Sequence, residues 1–296
     1  MDSNKKYLIL YNSVPYFLPY LNRTNVVADL VLRKLSFAEK IFRKISRILG
    51  LKQYYWFGEW KNNIEQYDVA IIFATLHETD VIKLLRMHNK NIRIIYWYWN
   101  PVSGVRDIDY NKLDNAEIWS FDPKDCEKFS FHYNTTFYFN EIKLNTTEIV
   151  YDALFIGKDK GRRRQLLDLE CVIKNYGLNT YFYIHPDDPK QAQNQIPYSE
   201  YLEKISKSKV LIDIVAPGQS GLTVRAMESI FLKRKLITYD HTIINNSFYT
   251  PENIFIIGKD NIKDLKGFID KPYKELDADI VDYYSIEKWL ERFNNH

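Results

Sequence analysis

Short apolar runs of strand length recur along this chain, each followed by a polar loop and then by a segment of helical period. That alternation restricts the chain to an α/β fold built on parallel sheet. In the first half the expected strands are Tyr7 to Tyr11, Val69 to Ala74, Ile92 to Trp97 and Glu117 to Phe121. In the second half they are Ala153 to Ile156, Thr180 to Ile184, Val210 to Ile214, Leu236 to Tyr239 and Ile254 to Ile257. Helical spacing fits Ala28 to Leu49, Thr79 to His88, Arg163 to Tyr176, Tyr198 to Lys207, Leu222 to Lys233 and Ile286 to Phe293. Two similar halves meet near Thr146 to Tyr151, where the polar stretch Asn145-Thr-Thr-Glu148 precedes a fresh strand.

With 296 residues the chain has room for two such halves, each with its own core. Lys and Arg number 41 against 38 Asp and Glu, so the near-neutral total argues against a globally basic nucleic-acid binder. The two cysteines, Cys126 and Cys171, are too few for a disulfide framework and suit a reducing, cytoplasmic setting. Met1 to Lys6 and the short apolar run Tyr7 to Leu10 lack a signal-peptide core, and no apolar stretch reaches bilayer-spanning length. Abundant Asn, Ile, Lys and Tyr fit a low-GC bacterial source, in which Asn134-Thr-Thr136 has no meaning as a sequon.

Two loops leave strands and enter helices with unusual composition. The first is Phe155-Ile-Gly-Lys-Asp-Lys-Gly-Arg-Arg-Arg164, with two glycines and five cations. Backbone amides and a helix N-terminus attract anions, so a pyrophosphate is its natural ligand. Its spacing is neither the dinucleotide fingerprint nor the P-loop. A solvated basic turn is the ordinary alternative. The second is Ile214-Val-Ala-Pro-Gly-Gln-Ser-Gly-Leu-Thr-Val-Arg-Ala-Met-Glu228, where Gly218, Ser220, Gly221 and Thr223 allow close backbone approach and hydroxyl contacts. Glu228 lies one to two turns into the helix and offers two acceptor oxygens to ribose or sugar hydroxyls. Here the alternative is a tight strand-to-helix turn that needs glycine. Both loops follow the carboxyl ends of strands, where ligands of open α/β sheets sit.

Together these segments resemble the C-terminal half of GT-B glycosyltransferases, over roughly residues 151 to 240. Gly157-Lys-Asp-Lys-Gly161 resembles a shortened form of that fold's Gly-Arg…Lys-Gly loop, with Lys158 and Lys160 in the two cationic positions that hold the donor diphosphate. Gly218 to Glu228, followed by Lys233-Arg-Lys-Leu-Ile-Thr238, is similar to the family's Glu-Gly-Phe-Gly…Glu-Ala-Met-Ala…Gly-x-Pro-Val segment. Glu228 matches the second Glu of the Glu-x7-Glu pattern, assigned by resemblance to the donor ribose. The first falls on Ser220, which leaves the stereochemistry open. The wording of these segments also resembles small bacterial capsule, O-antigen and lipopolysaccharide sugar transferases.

The resemblance implies two Rossmann-like domains facing a cleft. Residues 1–148 would bind the acceptor, 149–284 the nucleotide sugar, and 285–296 would form a helix crossing back to the first domain. The implied donor side comprises Gly157, Lys158, Lys160, Gly161, Arg162, His185, Gly218, Ser220, Gly221, Leu222, Thr223, Arg225 and Glu228. Asn12, Ser13 and Tyr16 would contact the acceptor. An acceptor base is needed in the first half, and His77 or Glu78 after the second expected strand, or Asp107 in the Asn100 to Asp109 loop, is a candidate. For each of these a solvated cap or turn residue is the plainer reading, as a structural histidine is for His185. No cofactor or metal is expected, the nucleotide sugar being a co-substrate: Asp107-Ile-Asp109 and Asp277-Ala-Asp279 lie past their strands, and the six histidines lack zinc spacing.

One further segment, Leu32 to Lys52, places Leu32, Leu35, Ala38, Phe42, Ile45 and Leu49 at helical spacing with a net charge of +6. Such a helix fits an anionic membrane surface, as does the following Tyr54-Tyr-Trp-Phe57 and Trp60, and it equally fits packing of the stripe on the first sheet. The expectation is thus a cytoplasmic, peripheral glycosyltransferase acting on a saccharide or lipid-linked acceptor. A nucleotide-sugar epimerase or hydrolase on the same fold, and a module binding anionic glycan or nucleic acid, are the alternatives.

Overall fold

The computed structural model describes residues 5–12, 17–74, 78–104, 113, 115–187, 196–216 and 218–294. The chain divides into two compact units, Met1–Asn134 with Phe293–His296, and Thr135–Arg292. Each is an α/β unit on a parallel sheet, as the alternation of runs predicts.

In the first unit β1 (Tyr7–Tyr11), β2 (Val26–Leu30), β3 (Val69–Phe73), β4 (Arg93–Tyr98), β5 (Glu117–Ser120) and β6 (His132–Tyr133) form a sheet in the order β2-β1-β3-β4-β5-β6. Every pairing is parallel. Its helices are α1 (Leu18–Leu21), α2 (Phe37–Ile48), α3 (Glu78–His88) and α4 (Pro123–Phe129). Leu8, Leu10, Ala70, Ile72, Ile94 and Tyr96 share one core with Val81, Ile82 and Leu85 of α3 and with Phe57, Trp60 and Ile64. The alternate residues Tyr7, Ile9, Ile71, Ile95 and Trp97 are buried as well. On that side Phe293 stands edge-on to Trp97 and Trp119, with ring centroids 6.0 and 4.8 Å away. Burial on both faces is why these strands read as unbroken apolar runs rather than alternating ones.

The second unit holds β7 (Tyr151–Lys158), β8 (Thr180–His185), β9 (Ser208–Asp213), β10 (Lys235–Thr238) and β11 (Ile254–Ile256), all parallel, in the order β11-β10-β9-β7-β8. Its helices are α5 (Arg163–Asn175), α6 (Tyr198–Ser206), α7 (Val224–Phe231), α8 (Leu265–Asp270), α9 (Ala278–Asp282) and α10 (Ile286–Arg292). Ala153, Phe155, Val210, Ile212 and Ile237 pack on Leu166, Leu169 and Ile173 of α5 and on Leu265, Phe268 and Ile269 of α8. Leu154, Leu211 and Leu236, at alternate positions, are also buried, and α6 and α7 lie along β9. In α10, Trp289 packs on Phe137 with centroids 4.4 Å apart.

Both sheets step first to one side, to β2 or β8, and then continue on the other, to β3 or β9. The winding therefore reverses between β1 and β3 and between β7 and β9. In open α/β sheets such reversals, at the carboxyl ends of the strands, are where the connections diverge and ligands sit.

Two expectations are corrected. The helix expected over Ala28 to Leu49 is two elements, because Val26–Leu30 pairs with β1, from Tyr7↔Val26 to Tyr11↔Leu30, and only Phe37–Ile48 is helical. Nor does the apolar stripe pack on the sheet: α2 has no buried residue. It is instead held by its ends. Ser36 and Glu39 form a capping box, Glu39 also pairs with Arg33 at 2.6 Å, and Gly50 (φ +68°) closes the other end as Leu51 N–H donates to the Ser46 carbonyl at 2.9 Å. Of the aromatic run that follows, Trp56, Phe57 and Trp60 are core residues, so they are not free for an interface, whereas Tyr55 is exposed. Among the described residues no helix is long and apolar enough to cross a membrane.

Candidate functional site

The reversal between β7 and β9 brings the two unusual loops to neighbouring strand ends. β7 delivers Lys158 and then turns through Asp159, Lys160 and Gly161 into α5. Lys160 (φ +47°) and Gly161 (φ +75°) are both left-handed; glycine adopts this conformation freely, while lysine does so only under constraint. The turn is pinned on both sides: Asp159 N–H donates to the His185 carbonyl at 2.8 Å, and the Asp159 carboxylate accepts from Arg163 N–H at 2.9 Å. One first-turn amide of α5 is therefore already occupied by an internal carboxylate. Lys158 and Lys160 are exposed. The Lys160 ammonium is lowered from its ordinary range by partial desolvation, then by the charges of Arg162 and Lys158.

β9 ends on Asp213, a buried carboxylate that accepts from the Thr223 hydroxyl at 2.7 Å. Thr223 in turn caps α7, accepting from Ala226 N–H at 3.1 Å. Between these strands lie two arginines. Arg162 donates to the carbonyls of Ile214 and Lys158. Arg225 donates to those of Ile212 (3.1 Å) and Ile156 (2.6 Å). Both guanidiniums sit over the Phe155 ring, 5.4 and 5.2 Å from its centroid. Gly157 leaves room for this, since a Cβ there would meet Phe155 at 3.2 Å and Arg162 at 3.7 Å.

Glu228 is only 3% exposed, with its carboxylate accepting from the Tyr201 hydroxyl and 3.8 Å from Arg225 Nε. Burial pushes its pKa up to about 7, against the opposing pull of Arg225. Burial likewise raises Asp213. Burial also works against the charge on Arg225, but Tyr201, Glu228 and Asp213 outweigh it. The network is therefore a fixed, largely buried set of titratable groups close to the exposed Lys158 and Lys160.

Of the residues expected on the donor side, Gly157, Lys158, Lys160, Gly161 and Arg162 follow or end β7, Thr223 caps α7, Arg225 lies in its first turn and Glu228 in its second. Gly218 (φ +84°) turns the intervening loop, where the Gln219 amide donates to the Gly221 carbonyl at 3.0 Å beside Ser220. The Leu222 carbonyl accepts from Thr136 at 2.7 Å. His185 ends β8, buried, with Nδ1 2.9 Å from the Pro186 carbonyl. Asn12 follows β1 and is exposed. Ser13, Tyr16, His77 and Asp107 lie outside the described residues, as does the side chain of Glu78. Sequence reasoning missed Asp213, Tyr201 and the role of Phe155. Asp213 carried a signal, a carboxylate closing the apolar run Val210-Leu-Ile-Asp213; Tyr201 carried none.

No known family's sequence profile matches the chain, and no curated protein matches it. A sucrose-phosphate synthase from Thermosynechococcus elongatus is similar in structure, with a TM-score of 0.54 at 10% identity over 98% of each chain. A conserved domain protein from Vibrio cholerae O1 biovar El Tor aligns over 82% of this chain and 76% of its own at 14% identity, but with a TM-score of 0.20 it carries no weight. At these identities the likeness to the synthase is one of fold: two parallel sheets with their helices, traced over nearly the whole chain.

Proposed function

We propose that the protein is a glycosyltransferase that moves a sugar from a nucleotide-sugar donor to a saccharide or lipid-linked saccharide acceptor, without a metal, in the cytoplasmic synthesis of bacterial surface polysaccharide. The donor occupies the carboxyl ends of β7 and β9, its diphosphate against Lys158 and Lys160 and its ribose toward Thr223 and Glu228. The acceptor takes the corresponding end of the first sheet, near Asn12. In the transfer an acceptor hydroxyl oxygen bonds to the anomeric carbon and loses its proton to a base. The anomeric carbon–oxygen bond breaks with its electron pair leaving on the diphosphate, and the two lysines balance the new charge.

The observation that carries this reading is the placement of both loops at the point where the second sheet reverses its winding, a position that binds ligands for topological reasons. The fold shared with the sucrose-phosphate synthase supports it, as do the motif resemblances. Calorimetric titration with UDP, GDP and CMP tests it. Saturable binding of one nucleotide, weakened in Lys160→Ala and Glu228→Gln proteins that still fold, is expected, and EDTA should leave it unchanged. Failure of all three to bind at millimolar concentration would remove the reading. A nucleotide-sugar hydrolase or epimerase is separated by its products, since it consumes donor fully with no acceptor present.

A further inference from the structure

An amphipathic helix ordinarily lays its apolar stripe on its own core. α2 does the opposite. At 3.6 residues per turn Phe37, Ile48, Ile41, Ile45 and Phe42 fall within an arc of about 140°. All five are exposed, Phe37 by 81%, Ile48 by 72% and Phe42 by 64%. Of the twelve helical residues only Glu39, Arg43 and Ser46 are half-buried, so the side turned to the protein is the polar one. Ser46 accepts there from the Gln53 amide at 3.2 Å, and Gln53 is buried. The exposed apolar ridge continues through Leu49 and Leu51.

Charge selects the occupant of this ridge. Lys40, Lys44 and Arg47 are exposed along one flank, with Lys34 and Lys52 exposed beyond the ends. The one acid between residues 32 and 52, Glu39, is engaged by Arg33 and the Ser36 backbone. A second copy packed antiparallel across a two-fold axis would bring the same positive fringe against itself. An anionic bilayer complements both parts at once: the acyl boundary takes the ridge and lipid phosphates take the cations. Tyr55, exposed, with the Arg33 guanidinium 5.4 Å over its ring, adds the amphipathic aromatic that headgroup depth favours.

We propose that α2 is the surface by which this protein docks onto anionic phospholipid bilayers, lying in the membrane plane with Phe37, Ile41 and Ile48 at the acyl boundary. The inference goes beyond the sugar-transfer reading, and its test needs no activity. The full-length protein is sedimented with phosphatidylcholine vesicles and with vesicles containing about one third phosphatidylglycerol. Binding at least about tenfold stronger to the anionic vesicles, weakening as salt rises, is expected. The Ile41→Ser/Ile48→Ser protein should lose about tenfold or more of that affinity. Both positions are exposed, so its circular dichroism should match the parent, and its nucleotide titration should too if the donor reading holds. Three results would overturn the proposal: no binding to anionic vesicles at low salt, equal binding to both kinds, or a lipid-free dimer that the double substitution dissociates.

Discussion

The Tyr201 hydroxyl donates a hydrogen bond to the Glu228 carboxylate, and both side chains are buried between α6 and α7. Tyr201→Phe removes the donor and leaves the acceptor in place, and a buried acceptor that loses its partner costs about 1–3 kcal/mol. The substituted protein should melt several degrees below the parent. An unchanged melting temperature would mean that the hydroxyl does not satisfy this carboxylate.

Because Glu228 is raised to about 7, stability depends on pH with a definite sign. Between its ordinary carboxylate range and pH 7 the folded state holds a proton that the unfolded state has released, so stability falls as pH rises through that window. The raised Asp213 adds in the same direction. Melting temperatures measured from pH 5 to pH 8 should decline more steeply for the parent than for Glu228→Gln. Parallel curves for the two proteins would refute the assignment of this slope to Glu228.

Lys160 has a left-handed backbone, which allows its charge to be removed without disturbing the turn. Lys160→Gly relieves the backbone constraint while deleting the ammonium, so folding stability should hold or rise by up to about 1 kcal/mol. Nucleotide affinity should nevertheless drop by about tenfold, the order of one charge-assisted contact. Calorimetry decides, and retained affinity would show that this lysine does not hold the diphosphate.

Thr223 serves two partners at once, capping α7 and donating to Asp213. Thr223→Ala should cost about 1–2 kcal/mol for the lost cap, and more for the carboxylate left without its donor. Thr223→Ser keeps the hydroxyl and should stay near the parent. Equal chemical-denaturation midpoints for the alanine and serine proteins would contradict the double role.

Particular residues show why parts of the fold were legible and others were not. Tyr7–Tyr11 and Val69–Phe73 are buried at every position, so their runs announce strands on their own. Val26–Leu30 lies at the sheet edge, where Val27 is exposed between buried Val26 and Ala28, but its apolar letters run on into the helical spacing that follows; only pairing with β1 marks it as a strand. In α2 the sequence reveals an apolar stripe but not which way it faces, since that depends on Gln53 and Arg33 holding the polar side. The basic and glycine-bearing loops were visible because strand-to-helix turns carry their composition locally. The use of Arg162 and Arg225 was not, because the carbonyls that hold them belong to strand ends up to 69 positions away in sequence.

The caps of α2 have a kinetic consequence. A twelve-residue helix in water is marginal by itself, and most surface-seeking peptides coil in solution and order only on contact. Here Ser36, Glu39 and Gly50 fix both ends before any surface is met. For the docking proposed for α2, adsorption then needs no coil-to-helix transition, so capture should follow diffusion and charge steering, and release should leave a helix ready for the next encounter.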